Sequence, residues 1–119
     1  MIKDIYKQHF IELYSERKNF GKIDDKTHEV KHKNPICNDE IIIDLKIKNQ
    51  KIIDAKFRGI TCFISTVSAE ALLENIKGKK IEEIKNLTKK DMDKFLGFEI
   101  NPTRISCELM ALEALKKIK

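Results

Sequence analysis

Three cysteines are too few, and the wrong number, for a disulfide framework. In a reducing compartment such thiols are expected to be buried, reactive or bound to metal. No apolar run approaches the roughly 20 residues that a membrane-spanning helix requires. The first residues, Met1-Ile2-Lys3-Asp4-Ile5-Tyr6, lack the apolar stretch and small-residue cleavage site of a secretory leader, so a cytoplasmic protein is expected. Internal repeats, low-complexity segments and a second domain are also missing. Charge of one sign is in only mild excess, because 24 Lys and Arg stand against 19 Asp and Glu for a net +5. The two signs interleave along the chain and form no basic stripe, so neither nucleic acid nor a membrane is expected as a partner.

What is present fits one globular domain over residues 1–119, with 41% hydrophobic and 36% charged residues and length enough for a core without disulfides. Ile2, Ile5, Tyr6, His9, Phe10 and Leu13 recur at helical spacing, which predicts an amphipathic first helix with His9 on its packed face. Asn19, Gly21 and Asp24-Asp25 break that pattern, and Thr27–Lys33 fits a short strand. From Glu40 to Lys48 the pattern alternates, with Ile41, Ile43, Leu45 and Ile47 facing one way and Ile42, Asp44, Lys46 and Lys48 the other, toward solvent. Asn49-Gln50 fits a hairpin turn. The return strand, Lys51–Gly59, is expected to face Ile53, Ala55 and Phe57 inward and Asp54, Lys56 and Arg58 outward.

Helical stripes follow. Ile64, Val67, Ala71, Leu72 and Ile76 form one, stopped by Lys77-Gly78-Lys79. Ile81, Ile84 and Leu87 form a short one, and Thr88–Asp91 reads as a capping box opening a helix that ends at Gly97. Asn101-Pro102 opens a last helix carrying Ile105, Leu109, Leu112, Leu115 and Ile118. The expected fold is α+β, a small antiparallel three-stranded sheet with helices packed on one face.

Chemistry is concentrated in four residues. Cys37 and Asp39 share the turn Asn34-Pro35-Ile36-Cys37-Asn38-Asp39 ahead of the first strong strand. Cys62 lies where the second strand meets a helix start, and Cys107 lies in the last helix one turn after Arg104. Helix N-termini and nearby cations favour thiolate, the form that binds metal and attacks sulfur. If these ends converge, three thiolates and one carboxylate suit tetrahedral Zn²⁺, or an iron–sulfur cluster with one exchangeable oxygen ligand. The intervals of 25 and 45 residues carry no C-x-x-C signature, and each cysteine taken singly fits a small core residue as well. A thiol hydrolase pairing a cysteine with His32 has no local signature, and a purely structural zinc domain would use the same four ligands. His28 and His32 read as surface residues near the motif, and their part in the site stays open.

The chain resembles the U-type iron–sulfur cluster assembly scaffolds: IscU, SufU and the N-terminal domain of NifU. The resemblance covers nearly the whole chain. It is carried by Asn34-Pro35-Ile36-Cys37-Asn38-Asp39, by Ile53-Asp54-Ala55-Lys56-Phe57 before Gly59 and Cys62, and by the Ser- and Ala-rich stretch Ser65–Ala71. Lys77-Gly78-Lys79 and the pair Pro102 and Cys107 complete it. It implies that Cys37, Asp39, Cys62 and Cys107 hold a transient [2Fe–2S] cluster, iron, or Zn²⁺ in the isolated protein. Sulfur would come as persulfide from a cysteine desulfurase, with Cys107 or Cys37 as acceptor, and the cluster would pass to apo iron–sulfur proteins or carriers. The implied role is a non-enzymatic scaffold, or a zinc-dependent sulfur acceptor if the chain follows SufU. A monomer or weak dimer is expected.

The chain departs from that family at four places. Asn38 replaces a glycine, and asparagine tolerates positive φ. Ser106 replaces the histidine that precedes the last cysteine in the IscU branch, which leaves Asp39 as the fourth ligand. Ile100-Asn101-Pro102-Thr103-Arg104 replaces that branch's chaperone-recognition segment, so the resemblance carries no chaperone docking. Arg17-Lys18-Asn19-Phe20-Gly21 matches the early motif only in part.

Overall fold

A computed structural model describes residues 4–36, 38–97 and 99–118. The elements run α1 (Asp4–Glu16), β1 (His28–Lys33), β2 (Glu40–Lys48), β3 (Lys51–Ile60), α2 (Phe63–Ile76), α3 (Ile81–Lys85) and α4 (Lys89–Leu96). A single 3₁₀ turn (Pro102–Arg104) then leads into α5 (Ile105–Glu108) and α6 (Met110–Leu115). The strands form one antiparallel sheet in the order β1-β2-β3, and helices cover one of its faces. Among the described residues no helix is long and apolar enough to cross a membrane.

The hairpin forms as the alternation requires. Asn49 and Gln50 take φ of 53° and 67°, the type I′ geometry whose twist matches the strands it joins. Ile41, Ile43 and Leu45 are fully buried, and Val30 of β1 lies opposite Ile43 on the same face. β3 departs from the expected alternation. The pairing steps from Lys46↔Asp54 to Ile47↔Ile52, so Ile53 is an extra residue in a β-bulge. Ile52 takes the core position and Ile53 is 51% exposed, while Ala55 and Phe57 stay inside as expected.

Helix α2 is apolar nearly all round, so it is buried on most sides; α1, α4, α5, α6 and β3 all pack against it. Thr88 caps α4 by donating its N–H to Asp91 Oδ2 at 2.8 Å, and Gly97 ends that helix in the left-handed region at φ 93°. The last helix is not continuous. It starts as the 3₁₀ turn and breaks at Leu109, whose ψ near zero separates α5 from α6. In α1, Leu13 is half-buried beside the cluster of Val67, Ala71, Leu96 and Ile100. Ile2 and the side chains of Ile5, Tyr6 and Phe10 lie outside the described residues. His9 is exposed and not packed: it lines an open groove with Glu12, Glu16, Glu70 and Glu74, and this polar rim keeps it in water.

Asp44 corrects a further expectation. Its position on β2 points away from the helices, yet it is fully buried, because the chain after Gly21 crosses that face. Ile23 N–H donates to Asp44 Oδ2 at 3.1 Å, Arg58 Nη1 lies 2.9 Å from the same oxygen, and Lys26 Nζ lies 3.4 Å from Oδ1. Burial pushes the carboxyl up, but the Ile23 and Arg58 hydrogen bonds and the two cations outweigh it and hold Asp44 below the usual carboxylate range. A depressed carboxyl supports the fold above its unfolded-state value and loses that support as pH falls through its folded-state value. Asp44→Ala leaves Arg58 and Lys26 facing a buried gap. We expect the unfolding free energy in urea at pH 7 to fall by about 3 kcal/mol, with the difference shrinking in acid.

Candidate thiol site

The register of the hairpin builds the site. Its last pair is Glu40↔Ile60, so the turn before β2 and the segment after β3 emerge at the same end of the sheet. Gly59 allows that close approach: at φ 129°, any Cβ there would stand 2.2 Å from the Glu40 carbonyl oxygen. In the turn, Asn34 N–H donates to the Asp39 carbonyl at 2.7 Å and Asn38 N–H to the Asn34 carbonyl at 2.9 Å. Ile36 N–H donates to Asn34 Oδ1 at 2.9 Å. Asn38 takes φ 61°, the left-handed conformation that asparagine tolerates in place of glycine.

Asp39 spans the junction by accepting Cys62 N–H at Oδ2, 3.1 Å away. Cys62 is the N-cap of α2; its Sγ accepts Ser65 N–H at 3.4 Å and lies 3.2 Å from Ser65 Oγ. Cys107 is buried in α5, and its thiol lies near enough to Cys62 to act on that sulfur. Burial pushes the Cys62 thiol up, but hydrogen bonds from Ser65 Oγ, Ser65 N–H, the Cys107 thiol and Ile64 N–H bring it below its ordinary value. Asn34 ties the turn to the start of α5, donating from Nδ2 to Ser106 Oγ at 3.2 Å.

Of the four residues singled out by sequence, the fold thus brings Asp39, Cys62 and Cys107 to one place. Cys37 lies outside the described residues. Among the described residues no three His, Cys, Asp or Glu side chains are grouped so as to hold a metal ion. The donor chemistry fits one: two neighbouring thiols and a carboxylate fixed to the backbone of one of them. His28 and His32 are half-buried. His32 lines a hollow of about 240 Å³ with Asn34, Pro35, Ile36, Ser106, Leu109 and Glu113. Burial and the Lys117 charge push its imidazole down against the opposing pull of Glu113, which favours the neutral ring.

Several side chains that support the site carry no sequence signal. Ser65 and Met110 meet behind Cys62, with Ser65 Oγ 3.1 Å from Met110 Sδ. Behind Cys107, Glu108 is fully buried and neither of its carboxyl oxygens meets an N–H or hydroxyl donor. Lys89 Nζ stands 3.8 Å from Glu108 Oε1 and 2.9 Å from Asp93 Oδ2. Burial, with the Asp93 carboxylate beside it, pushes Glu108 up to about 8 despite Lys89. A protonated Glu108 becomes a donor to Asp93. Burial raises Asp93 in turn, but that hydrogen bond and Lys89 carry it below the usual range.

A three-stranded antiparallel sheet backed by helices, with two thiols and a carboxylate at one sheet end, defines a small α+β class whose chemistry is concentrated in sulfur. Residues 5–118 match the family model described as the NifU-like N terminal domain, and the chain belongs to that family. It is 33% identical to the iron–sulfur cluster assembly scaffold protein IscU of Thermotoga maritima, with 99% of this chain and 97% of that protein aligned. It is 31% identical to the zinc-dependent sulfurtransferase SufU of Bacillus subtilis, across 95% of this chain and 88% of that one. Among solved structures, FiSufU from Fervidobacterium islandicum superimposes with a TM-score of 0.74 at 26% identity, covering 97% of each chain.

The Glu108–Asp93 pair gives a stability test. Glu108 has a raised folded-state value, so the folded chain keeps a proton that the unfolded chain releases above about pH 4.5, and stability drains away as pH rises toward about 8. Glu108→Gln keeps a donor for Asp93 and removes the titration. Urea midpoints are expected to match the parent near pH 4.5 and to exceed it increasingly up to pH 8, where the gain levels off.

Proposed function

We propose that this chain is an iron–sulfur cluster assembly scaffold. It accepts sulfur as persulfide from a cysteine desulfurase, with Cys107 or Cys37 as acceptor. It carries a nascent [2Fe–2S] cluster as cargo on Cys37, Asp39, Cys62 and Cys107, and hands that cargo to apo-proteins or carriers. The observation that carries this reading is the meeting of Cys62 and Cys107 from 45 residues apart, with Asp39 bonded to the Cys62 N–H, in a chain of this family.

The residues divide the work. The two neighbouring thiols offer soft ligands, and the α2 N-terminus with Ser65 stabilises the Cys62 sulfur as an anion. Asp39 offers the single hard oxygen, the first ligand to exchange. Docking of the desulfurase is supported by large apolar side chains left in water around the motif: Ile36 at 80% exposure and Ile60 at 73%, with Phe63 next to Cys62. Phe63 is in turn backed by Tyr14 of α1, ring centroids 5.0 Å apart.

A second reading has its own support. Ser106 is engaged by Asn34 and offers no nitrogen ligand beside Cys107. Asp39 then completes a three-sulfur, one-oxygen set that suits Zn²⁺, and the SufU relative is named as zinc-dependent. In that case the same site accepts sulfur without building a cluster.

Reconstitution with iron, cysteine and a cysteine desulfurase separates the two. The scaffold reading expects [2Fe–2S] absorption together with persulfide on at least one of the three cysteines. Persulfide with retained zinc and no cluster transfers the conclusion to the sulfur acceptor, and absence of both sinks the two together. Asp39→Ala is expected to keep the far-ultraviolet circular dichroism of the parent and to slow cluster transfer to an apo-ferredoxin by on the order of tenfold. Unchanged transfer would remove Asp39 from the exchangeable position.

A further inference from the structure

We propose that Ser65 positions and tunes the Cys62 sulfur through a hydroxyl proton for which Met110 competes. The inference rests on reading Cys62 as the bearer of sulfur and metal. Ser65 is buried in the first turn of α2, and its Oγ lies 3.2 Å from Cys62 Sγ and 3.1 Å from Met110 Sδ. Two sulfur atoms therefore flank one hydroxyl, and a hydroxyl has one proton to give.

Ligation of Cys62 decides which sulfur receives it. A Cys62 thiol donates its own proton to Ser65 Oγ, and the serine proton then points at the Met110 thioether. A Cys62 sulfur bound to metal has lost its proton and become an anionic acceptor, and hydrogen bonds to charged acceptors are about twice as strong as neutral ones. The serine proton then turns to Cys62 and leaves Met110 with no donor from Ser65. Both acceptors are already within reach, so the change needs only rotation about the Cβ–Oγ bond and no backbone movement.

Ser65 also fixes the direction of the Cys62 sulfur through its own N–H at 3.4 Å. Hydrogen bonds to ligand sulfur withdraw charge from it and alter the strength of the metal–sulfur bond. Met110 draws on the same proton, so the thioether weakens the hold that Ser65 gives to a metal-bound Cys62. A site meant to release its cargo gains lability from such a competitor. Met110 sits in α6, three residues after Cys107, so the serine also ties the first turn of α2 to the helix that follows α5.

The test uses the full chain with Zn²⁺, its affinity measured by competition with a chromophoric chelator. Ser65→Ala is expected to weaken Zn²⁺ binding about tenfold, the scale of lost outer-shell partners. Met110→Leu conserves volume and removes the rival acceptor, so it is expected to tighten binding a few-fold. The double variant should match Ser65→Ala, because the methionine acts only through the serine proton. Unchanged binding in Ser65→Ala overturns the proposal. So does a Met110→Leu variant that binds no more tightly than the parent, as a packing role would give. If Ser65→Ala does not fold, Met110→Leu alone decides on the same terms.

A metal-free arm separates this relay from the reading of the site. Cys62 alkylation by iodoacetamide at fixed pH, followed by mass spectrometry, should slow in Ser65→Ala and quicken in Met110→Leu. If the parent takes up no Zn²⁺ yet the two rates move in opposite directions, the relay stands and the metal-holding reading falls. Rates that move together, or not at all, overturn the relay.

Discussion

The antiparallel register of β2 with β3 is the constraint on which the site depends. Because pairing holds from the Asn49-Gln50 turn to Glu40↔Ile60, the two open ends of the hairpin emerge side by side. Asp39 can then bond to the Cys62 N–H across 23 positions of sequence. Gly59 is the narrow point, since a side chain there would collide with the Glu40 backbone and force the ends apart. Helix α2 starts from this junction, so Cys62 is at once the end of the sheet, the cap of a helix and the neighbour of Cys107. A slip of one residue would turn every inward side chain of β2 outward, and would separate Asp39 from Cys62 as well.

Burial and hydrogen bonding near Cys62 and Cys107 decide which neighbouring groups carry charge. Glu108 follows Cys107 directly in α5 and is fully buried. Burial keeps Glu108 protonated, and its charge is in effect displaced onto Asp93, which Lys89 neutralises from α4. On the far side, Ser65 and the first turn of α2 supply donors to Cys62. These donors favour negative charge on the Cys62 sulfur.

Local chemistry was the legible part of the fold. The alternation of β2, the positive-φ turns at Asn49-Gln50 and Asn38, and the Thr88–Asp91 cap each depend on a few adjacent residues. The sequence pattern failed where a distant segment decides. Strict alternation assigns Ile53 inward, and one inserted residue reverses it. Asp44 has an outward position, and only the returning chain at Ile23 and the Arg58 side chain bury it. Helical spacing puts His9 on a packed face, whereas four glutamates leave it a wet groove. For the site, the residue types and the motifs shared with the family pointed to sulfur chemistry where the spacing did not, while the Ser65–Met110 contact and the Asn34–Ser106 tie span 45 and 72 positions and leave no local trace.

Both margins of the sheet are guarded, by different means. β3 does not offer its free side: Asn19 and Gly21 bond to Phe57 at one place, and Lys79 and Gly78 bond to Ile52 at another. β1 is short and charged, His-Glu-Val-Lys-His-Lys, and Lys117 reaches over to the Lys31 carbonyl at 2.6 Å. Strand addition is thereby discouraged along both sides. The docking proposed at the hairpin's open end then proceeds through protruding side chains such as Ile36 and Ile60. Contacts of that kind come apart more readily than an added strand, so brief encounters at the thiols need not seed fibres or permanent complexes.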